Sequence, residues 1–146
     1  MTLSETSTHS RRLWIFVLVY PLHILEEIRG VGASHGINLS LKQFFILSGA
    51  GCLLMVVGIL VSLRFRFPHL FEIFFGTAFV LNGLSHIINS VAIRGYDAGV
   101  ITGTLIFIPL GVTSLMRLRN SMRWPRYSAG VALGLVVQLI ITLLAL

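Results

Sequence analysis

Three ionisable side chains stand close together at the end of an apolar run, in the stretch YPLHILEEIRG. They are His23, Glu26 and Glu27. Imidazole and carboxylate groups are ordinary ligands of zinc and iron, and spacings of three and four residues bring helical side chains to one side. A carboxylate near the bilayer centre costs about 2.5–3.5 kcal/mol, so two adjacent carboxylates need protons or a counter-charge. A metal ion supplies that charge directly, and the stretch therefore predicts a metal site.

A second polar stripe runs through the apolar segment LFEIFFGTAFVLNGLSHIINSVAI. At about 100° per residue, Asn82, His86 and Asn89 fall within roughly 60° of one another on a helix. Two narrow polar stripes at the same depth of a bilayer should face each other rather than lipid. We therefore expect the helix that carries His23 to meet the helix that carries His86.

These residues take distinct roles in the predicted site. The metal ligands are His23, Glu27 and His86. The catalytic candidates are Glu26, Glu27 and Asn82, because a glutamate that is not a ligand can act as a general base beside a metal-bound water. The candidates for support of the ligands or contact with substrate are Asn89, Asp97 and His35.

Other interpretations of the same residues stay open. Glu26 can form an ion pair with Arg29 one turn later, and histidines inside a bundle often serve as interhelical hydrogen-bonding groups. His23 and His86 could also ligate a haem, although we favour a single zinc or iron ion. Asp97 can cap the following helix or pair with Arg94.

The composition indicates a membrane protein. Hydrophobic residues make up 55% of the 146 residues and charged residues only 11%, whereas soluble domains carry about 25% charged residues. Five segments are long and apolar enough to cross about 30 Å of hydrocarbon. The predicted spans are residues 13–28, 44–63, 70–92, 100–116 and 127–146. We predict an all-α integral membrane protein, with a polar tail at 1–10 and a single five-helix transmembrane domain at 11–146.

The basic residues predict the orientation of this bundle. Eight lie on one side of the predicted membrane: Arg11, Arg12, Arg64, Arg66, Arg117, Arg119, Arg123 and Arg126. Three lie on the other: Arg29, Lys42 and Arg94. Cytoplasmic loops carry the excess of Lys and Arg, so the N-terminus is expected in the cytoplasm and the C-terminus outside. Both polar stripes then lie in the outer half of the bilayer.

The chain resembles the family of small bacterial membrane proteins named for a His-x-x-Glu-Glu motif. That motif stands here as HILEE at residues 23–27, and the Asn and His of the family's later helix are matched by Asn82 and His86 in NGLSH. The similarity in hydrophobic layout covers most of the chain. The resemblance implies a membrane enzyme, with no substrate attached, in a bacterial inner (cytoplasmic) membrane.

Several function classes lack their signatures in this sequence. There is no G-x-S-x-G nucleophile elbow, no P-loop and no dinucleotide-binding glycine motif. The net charge of +6 comes from arginines placed between apolar blocks, so we expect no nucleic-acid partner. The G-x-x-x-G pairs at 99/103 and 130/134 suit close helix packing within the bundle or in an oligomer.

The sequence thus predicts a metal-dependent membrane enzyme that acts on a lipid-like or other apolar substrate. Two alternatives remain. The first is a proton-relay or transport module in which His23 and the two glutamates carry protons. The second is an accessory subunit of a larger membrane complex, in which the polar groups hold helices together.

Overall fold

The computed structural model describes the backbone of residues 3–31 and 39–145, and the side chains of residues 11–31 and 39–144. Five helices account for most of this chain: α1 Leu3–Glu27, α2 Leu41–Arg64, α3 Pro68–Ala92, α4 Val100–Arg119 and α5 Trp124–Ala145. A short 3₁₀ turn, Ile28–Gly30, follows α1. The described residues form no strand, so the prediction of an all-α protein is confirmed.

Four of the helices, α2 to α5, are long and apolar enough to cross a membrane. On α2, Leu53 and Leu54 are 64% and 70% exposed, which suits contact with lipid and not with water. These features indicate an integral membrane protein. Helix α1 begins at Leu3, ten residues before the predicted first span, and only its middle is apolar.

Helix α3 lies at the centre and packs against each of the other four helices. Small residues let the neighbouring backbones come close, as is usual between membrane helices. Gly103 of α4 lies directly against Gly83 of α3, and Gly134 of α5 lies against Thr77. The G-x-x-x-G residues at 103 and 134 therefore contact α3 of the same chain.

The core beneath the polar cluster is largely aromatic. Its buried members are Leu13, Phe16, Met55, Ile59, Phe75, Phe79 and Phe107. Phe79 and Phe107 stack with ring centroids 3.8 Å apart, and the His23 ring lies 4.3 Å from that of Phe107. His23 therefore rests on an apolar floor that excludes water from one side.

A π-helical turn, Gly103–Phe107, interrupts α4. Pro109 follows it and has no N–H to donate to the carbonyl of Leu105, which loosens the regular helix at this level. The turn separates the beginning of α4, which contacts the polar cluster, from the rest of the helix. Single π turns of this kind are frequent at functional sites.

The opposite end of the bundle has its own polar contact. Glu72 of α3 is 1% exposed and forms an ion pair with Arg117 of α4. This pair joins the two helices at the arginine-rich end, far along α3 from His86. Its location explains how Glu72 is buried without belonging to the predicted site.

Candidate metal centre

Two helices bring His23, Glu27 and His86 to one point. One carboxylate oxygen of Glu27, Oε1, lies 3.3 Å from Nε2 of His23 and 3.3 Å from Nε2 of His86. The two imidazole rings have centroids 5.0 Å apart. One potential ligand atom from each residue lies within 4.8 Å of the others. The predicted ligand set of α1 and α3 is therefore assembled in space.

A carboxylate from the α3–α4 loop fixes the ring of His86. Oδ2 of Asp97 lies 2.6 Å from Nδ1 of His86, and Asp97 is only 6% exposed. A carboxylate can only accept, so Nδ1 of His86 carries the proton and donates it to Asp97. The other ring nitrogen, Nε2, then presents a lone pair.

The ring of His23 is fixed by a hydroxyl in the same way. Oγ1 of Thr102 lies 2.6 Å from Nδ1 of His23 and 2.6 Å from Oε2 of Glu26. The single hydroxyl proton of Thr102 goes to the carboxylate, so the hydroxyl oxygen accepts from His23. His23 is therefore protonated on Nδ1, and its Nε2 also presents a lone pair.

This bonding pattern leaves the cluster rich in acceptors. Nε2 of His23 is buried and has no hydrogen-bond partner among the residues that the structure describes. Nε2 of His86 and the Glu27 carboxylate stand beside it, and neither has a proton to share when both histidines are neutral. Three lone-pair groups confined together repel one another unless a cation or an additional proton lies among them. The arrangement fits a metal ion chemically.

Glu26 has a different task from Glu27, although the two are adjacent. Its carboxylate accepts from the backbone N–H groups of Ile101 and Thr102 at 3.0 and 2.8 Å. It also accepts from the hydroxyls of Thr102 and Tyr96. Glu26 thus caps the first turn of α4, whose N–H groups have no partner in their own helix. The expected partner, Arg29, is not among these four donors.

Tyr96 closes the solvent side of this cap. Its hydroxyl donates to Oε1 of Glu26 at 2.7 Å. The pKa of the Tyr96 phenol is raised, mainly by partial desolvation and to a smaller extent by the hydrogen bond to the Glu26 carboxylate. The phenol therefore stays protonated and able to donate throughout the neutral pH range.

Gly99 lets the loop approach both histidines. Its φ of +108° lies in the region that side-chain-bearing residues rarely adopt. A Cβ atom at this position would lie 2.5 Å from Cε1 of His86 and 2.9 Å from Cε1 of His23. The absence of a side chain at 99 is therefore needed for both the turn and the ring positions.

A shallow groove of about 250 Å³ reaches the edge of the site between α1 and the beginning of α4. Its walls include the apolar side chains of Leu25 and Ile101, which are 63% and 52% exposed. Glu26 and Arg29 also line it. The groove thus combines exposed apolar side chains with one acidic and one basic residue.

The remaining predicted residues are placed less closely. Asn82 lies one turn before His86 on α3, and its buried Oδ1 accepts no hydrogen bond from the described part of the chain. Asn89 is exposed near the C-terminal end of α3 and makes none of the contacts above. His35 lies outside the residues that the structure describes.

Three contributors were not assigned their roles from the sequence. Thr102 and Tyr96 are not among the predicted site residues, and for Gly99 the sequence predicts only helix packing. A sequence signal exists for Gly99, because a glycine just before a helix often marks a positive φ. Thr102 and Tyr96 are recognised only through Glu26, which comes from a distant part of the chain.

A comparison with known protein families gives one match. The family described as "Protein of unknown function with HXXEE motif" matches residues 14–114. The matched range contains every side chain of the cluster, from His23 to Thr102. No curated protein and no solved structure gives a significant match to the chain.

Proposed function

Because the chain belongs to the HXXEE-motif family, we propose a function for the motif itself. We propose that the protein is an integral membrane enzyme that uses one zinc or iron ion, held by His23, Glu27 and His86. The observation that carries this proposal is the group of three potential ligands within 4.8 Å of one another, of which His23 is buried and Glu27 and His86 are partly buried. In the neutral rings, the N–H protons of His23 and His86 are on Nδ1 and are donated in hydrogen bonds to Thr102 and Asp97.

The ligand set suits catalysis more than a purely structural site. Two histidines and one carboxylate hold catalytic zinc and non-haem iron, and both kinds of site keep a coordination position open. A metal ion in such a site polarises a substrate oxygen or activates water. The chain's own residues would keep the rings oriented, through Asp97 for His86 and Thr102 for His23, as in other metal sites.

The two glutamates of the motif have separate roles in this proposal. Glu27 is the ligand, and Glu26 holds the beginning of α4, and with it Thr102, against the site. The Glu26 carboxylate already accepts hydrogen bonds from four donors, so it is poorly placed to act as a general base. Asn82, with its unpartnered Oδ1, is the better candidate for a contact to substrate.

A lipid-like or other apolar substrate suits the surroundings of the cluster. The floor is formed by Phe107 and Phe79, and the groove at its edge exposes Leu25 and Ile101 toward lipid. A substrate would enter sideways from the bilayer. We further propose that α1 is a fifth span, that the N-terminus is cytoplasmic, and that the site lies in the outer half of a bacterial cytoplasmic membrane.

A single ion is favoured over haem by the space available. The two rings are inclined at 74° with centroids 5.0 Å apart, and the Glu27 carboxylate contacts both Nε2 atoms. A porphyrin between the histidines would have to displace this carboxylate from a site in which His23 is 1% exposed.

A proton relay is the second candidate, and a specific observation favours it. Tyr96, Glu26, Thr102 and His23 form a continuous hydrogen-bonded chain. His86 and Asp97 extend it on the far side of Glu27. Such a chain can pass protons along the bundle without any metal, so metal content separates the two functions.

The enzyme proposal is tested by the lipid composition of membranes that contain the protein. Wild type, Glu27→Gln and Lys42→Gln would be expressed to equal levels and their membrane lipids compared by mass spectrometry. Lys42 is exposed at the beginning of α2 and serves as the control. We expect the amount of at least one lipid species to be the same in membranes with wild type and with Lys42→Gln, and to differ in membranes with Glu27→Gln. Identical lipid profiles for all three folded proteins would contradict the enzymatic function.

A further inference from the structure

A second cavity lies at the arginine-rich end of the bundle, away from the metal ligands. It has a volume of about 510 Å³ and lies between the α2–α3 turn and the beginning of α5. Its cationic and titratable lining residues are Arg66, His69 and Arg126. Its apolar lining includes Phe67, Leu70 and Met122. The cavity therefore combines positive charge with an apolar wall.

The two arginines of this cavity form no ion pair with an aspartate or glutamate whose side chain the structure describes. The only arginine in an ion pair among the described residues is Arg117, which pairs with Glu72. Among residues 11–31 and 39–144, no aspartate or glutamate lines the cavity. Arg66 and Arg126 thus keep their guanidinium groups available in a place where nothing in the described chain neutralises them.

The backbone at Arg66 is unusual for an arginine. Helix α2 ends with hydrogen bonds from the N–H of Phe67 to Ser62 and from the N–H of Arg66 to Leu63. This is the Schellman arrangement, in which the left-handed position is usually glycine. Arg66 occupies that position with a φ of 61°.

We propose that this cavity binds a phosphate group, carried on the headgroup of an anionic phospholipid. Guanidinium groups match the geometry of phosphate oxygens and are favoured for this purpose. The beginnings of α3 and α5 border the cavity and add a smaller favourable potential. The apolar wall of Phe67, Leu70 and Met122 suits the acyl chains below a headgroup. Basic pockets between helices on the cytoplasmic side commonly hold anionic lipids.

The inference is independent of the proposed metal chemistry, since the two sites lie at opposite ends of the bundle. The first experiment uses the purified full chain in detergent. Binding of dioleoyl phosphatidylglycerol, dioleoyl phosphatidylcholine and inorganic phosphate would be measured by native mass spectrometry and by the shift in thermal midpoint. We expect phosphatidylglycerol to bind most tightly and to raise the midpoint most. Equal protection by inorganic phosphate would overturn the assignment to a lipid.

Charge-matched variants then locate the binding. Arg66→Gln and Arg126→Gln should each weaken phosphatidylglycerol binding about fivefold. Arg119→Gln, an exposed arginine at the same end but outside the cavity, should leave it unchanged. Equal weakening by Arg119→Gln would overturn the proposal, because binding would then follow net charge alone.

A glycine variant distinguishes loss of the Arg66 side chain from loss of binding through misfolding. Arg66→Gly suits the left-handed backbone, so the thermal midpoint without lipid should be maintained or raised. Its binding of phosphatidylglycerol should fall as in Arg66→Gln. A folded Arg66→Gly protein that binds phosphatidylglycerol as well as wild type would contradict a role for the arginine.

Discussion

The substitution Gly99→Ala should damage the fold and the candidate metal site together. The backbone at 99 has a φ of +108°, and placing an L side chain in the left-handed region costs about 1–2 kcal/mol. The new Cβ atom would also lie 2.5 and 2.6 Å from two atoms of the His86 ring. Carbon atoms prefer separations of about 3.5–4.0 Å, so the ring must move by roughly 1 Å.

The second cost is therefore one of overpacking. Inserting a methyl group into a well-packed site costs about 1–3 kcal/mol, and the two effects together give a loss of about 2–5 kcal/mol. Both rings that contact the new methyl group belong to proposed ligands. Disturbing the groups that orient ligands typically weakens metal binding by about 10–100-fold. We expect at least this loss for Gly99→Ala.

The assay compares thermal midpoint and zinc affinity in purified wild type, Gly99→Ala and Gly95→Ala. Gly95 lies in the same loop, and a Cβ there would meet its nearest atoms at an ordinary 3.8 Å. The control should match wild type in metal affinity. If Gly99→Ala binds zinc as tightly as wild type, the inferred crowding of His23 and His86 is wrong. A lower midpoint with unchanged zinc affinity would assign the whole effect to backbone strain.

Three further changes test neighbouring parts of the account. Glu27→Gln should lose the metal with little loss of stability. Glu26→Gln should retain the metal but lower the free energy of unfolding by about 1–3 kcal/mol, because donors of α4 lose their carboxylate acceptor. Equal metal contents and thermal midpoints in both variants would contradict their separate roles. Measured by chelator competition, Thr102→Val should weaken metal binding about 10–100-fold, and Thr102→Ser should restore it. Equal metal affinities in the two variants would refute the role of the hydroxyl. Reporter fusions after Met122 should be cytoplasmic and fusions after Leu146 external, and the opposite pattern would reverse the proposed orientation.

Much of the fold was accessible from apolar segment length alone. The predicted spans at 44–63 and 70–92 differ by at most three residues from helices Leu41–Arg64 and Pro68–Ala92. The start of α1 was not predicted, because residues 3–10 are polar and membrane hydropathy gives no signal for a helix that continues outside the apolar run. The π-helical turn in α4 was also missed, since only Pro109 pointed to an irregularity there.

The candidate site was predictable where it depends on the geometry of single helices. His23 and Glu27 are one turn apart on α1, so helix periodicity places both on one face, and the polar stripe of α3 predicts that His86 faces them. The role of Glu26 as the cap of α4 was not predictable, because its direction differs from that of Glu27 by only about 100° and both side chains point toward other helices. Which glutamate caps α4 is decided by where the α3–α4 loop places Thr102, and that is a tertiary property.

The central claim is that His23 and His86 bind one metal ion together. Metal content would be measured by elemental analysis of purified wild type, His23→Ala, His86→Ala and the double variant, with thermal midpoints recorded on the same samples. We predict one ion per wild-type chain, loss of most of it in either single variant, and little further loss in the double variant, because the ligands act as a unit. Metal retained in all three variants, with destabilisation that simply adds, would contradict a shared metal centre.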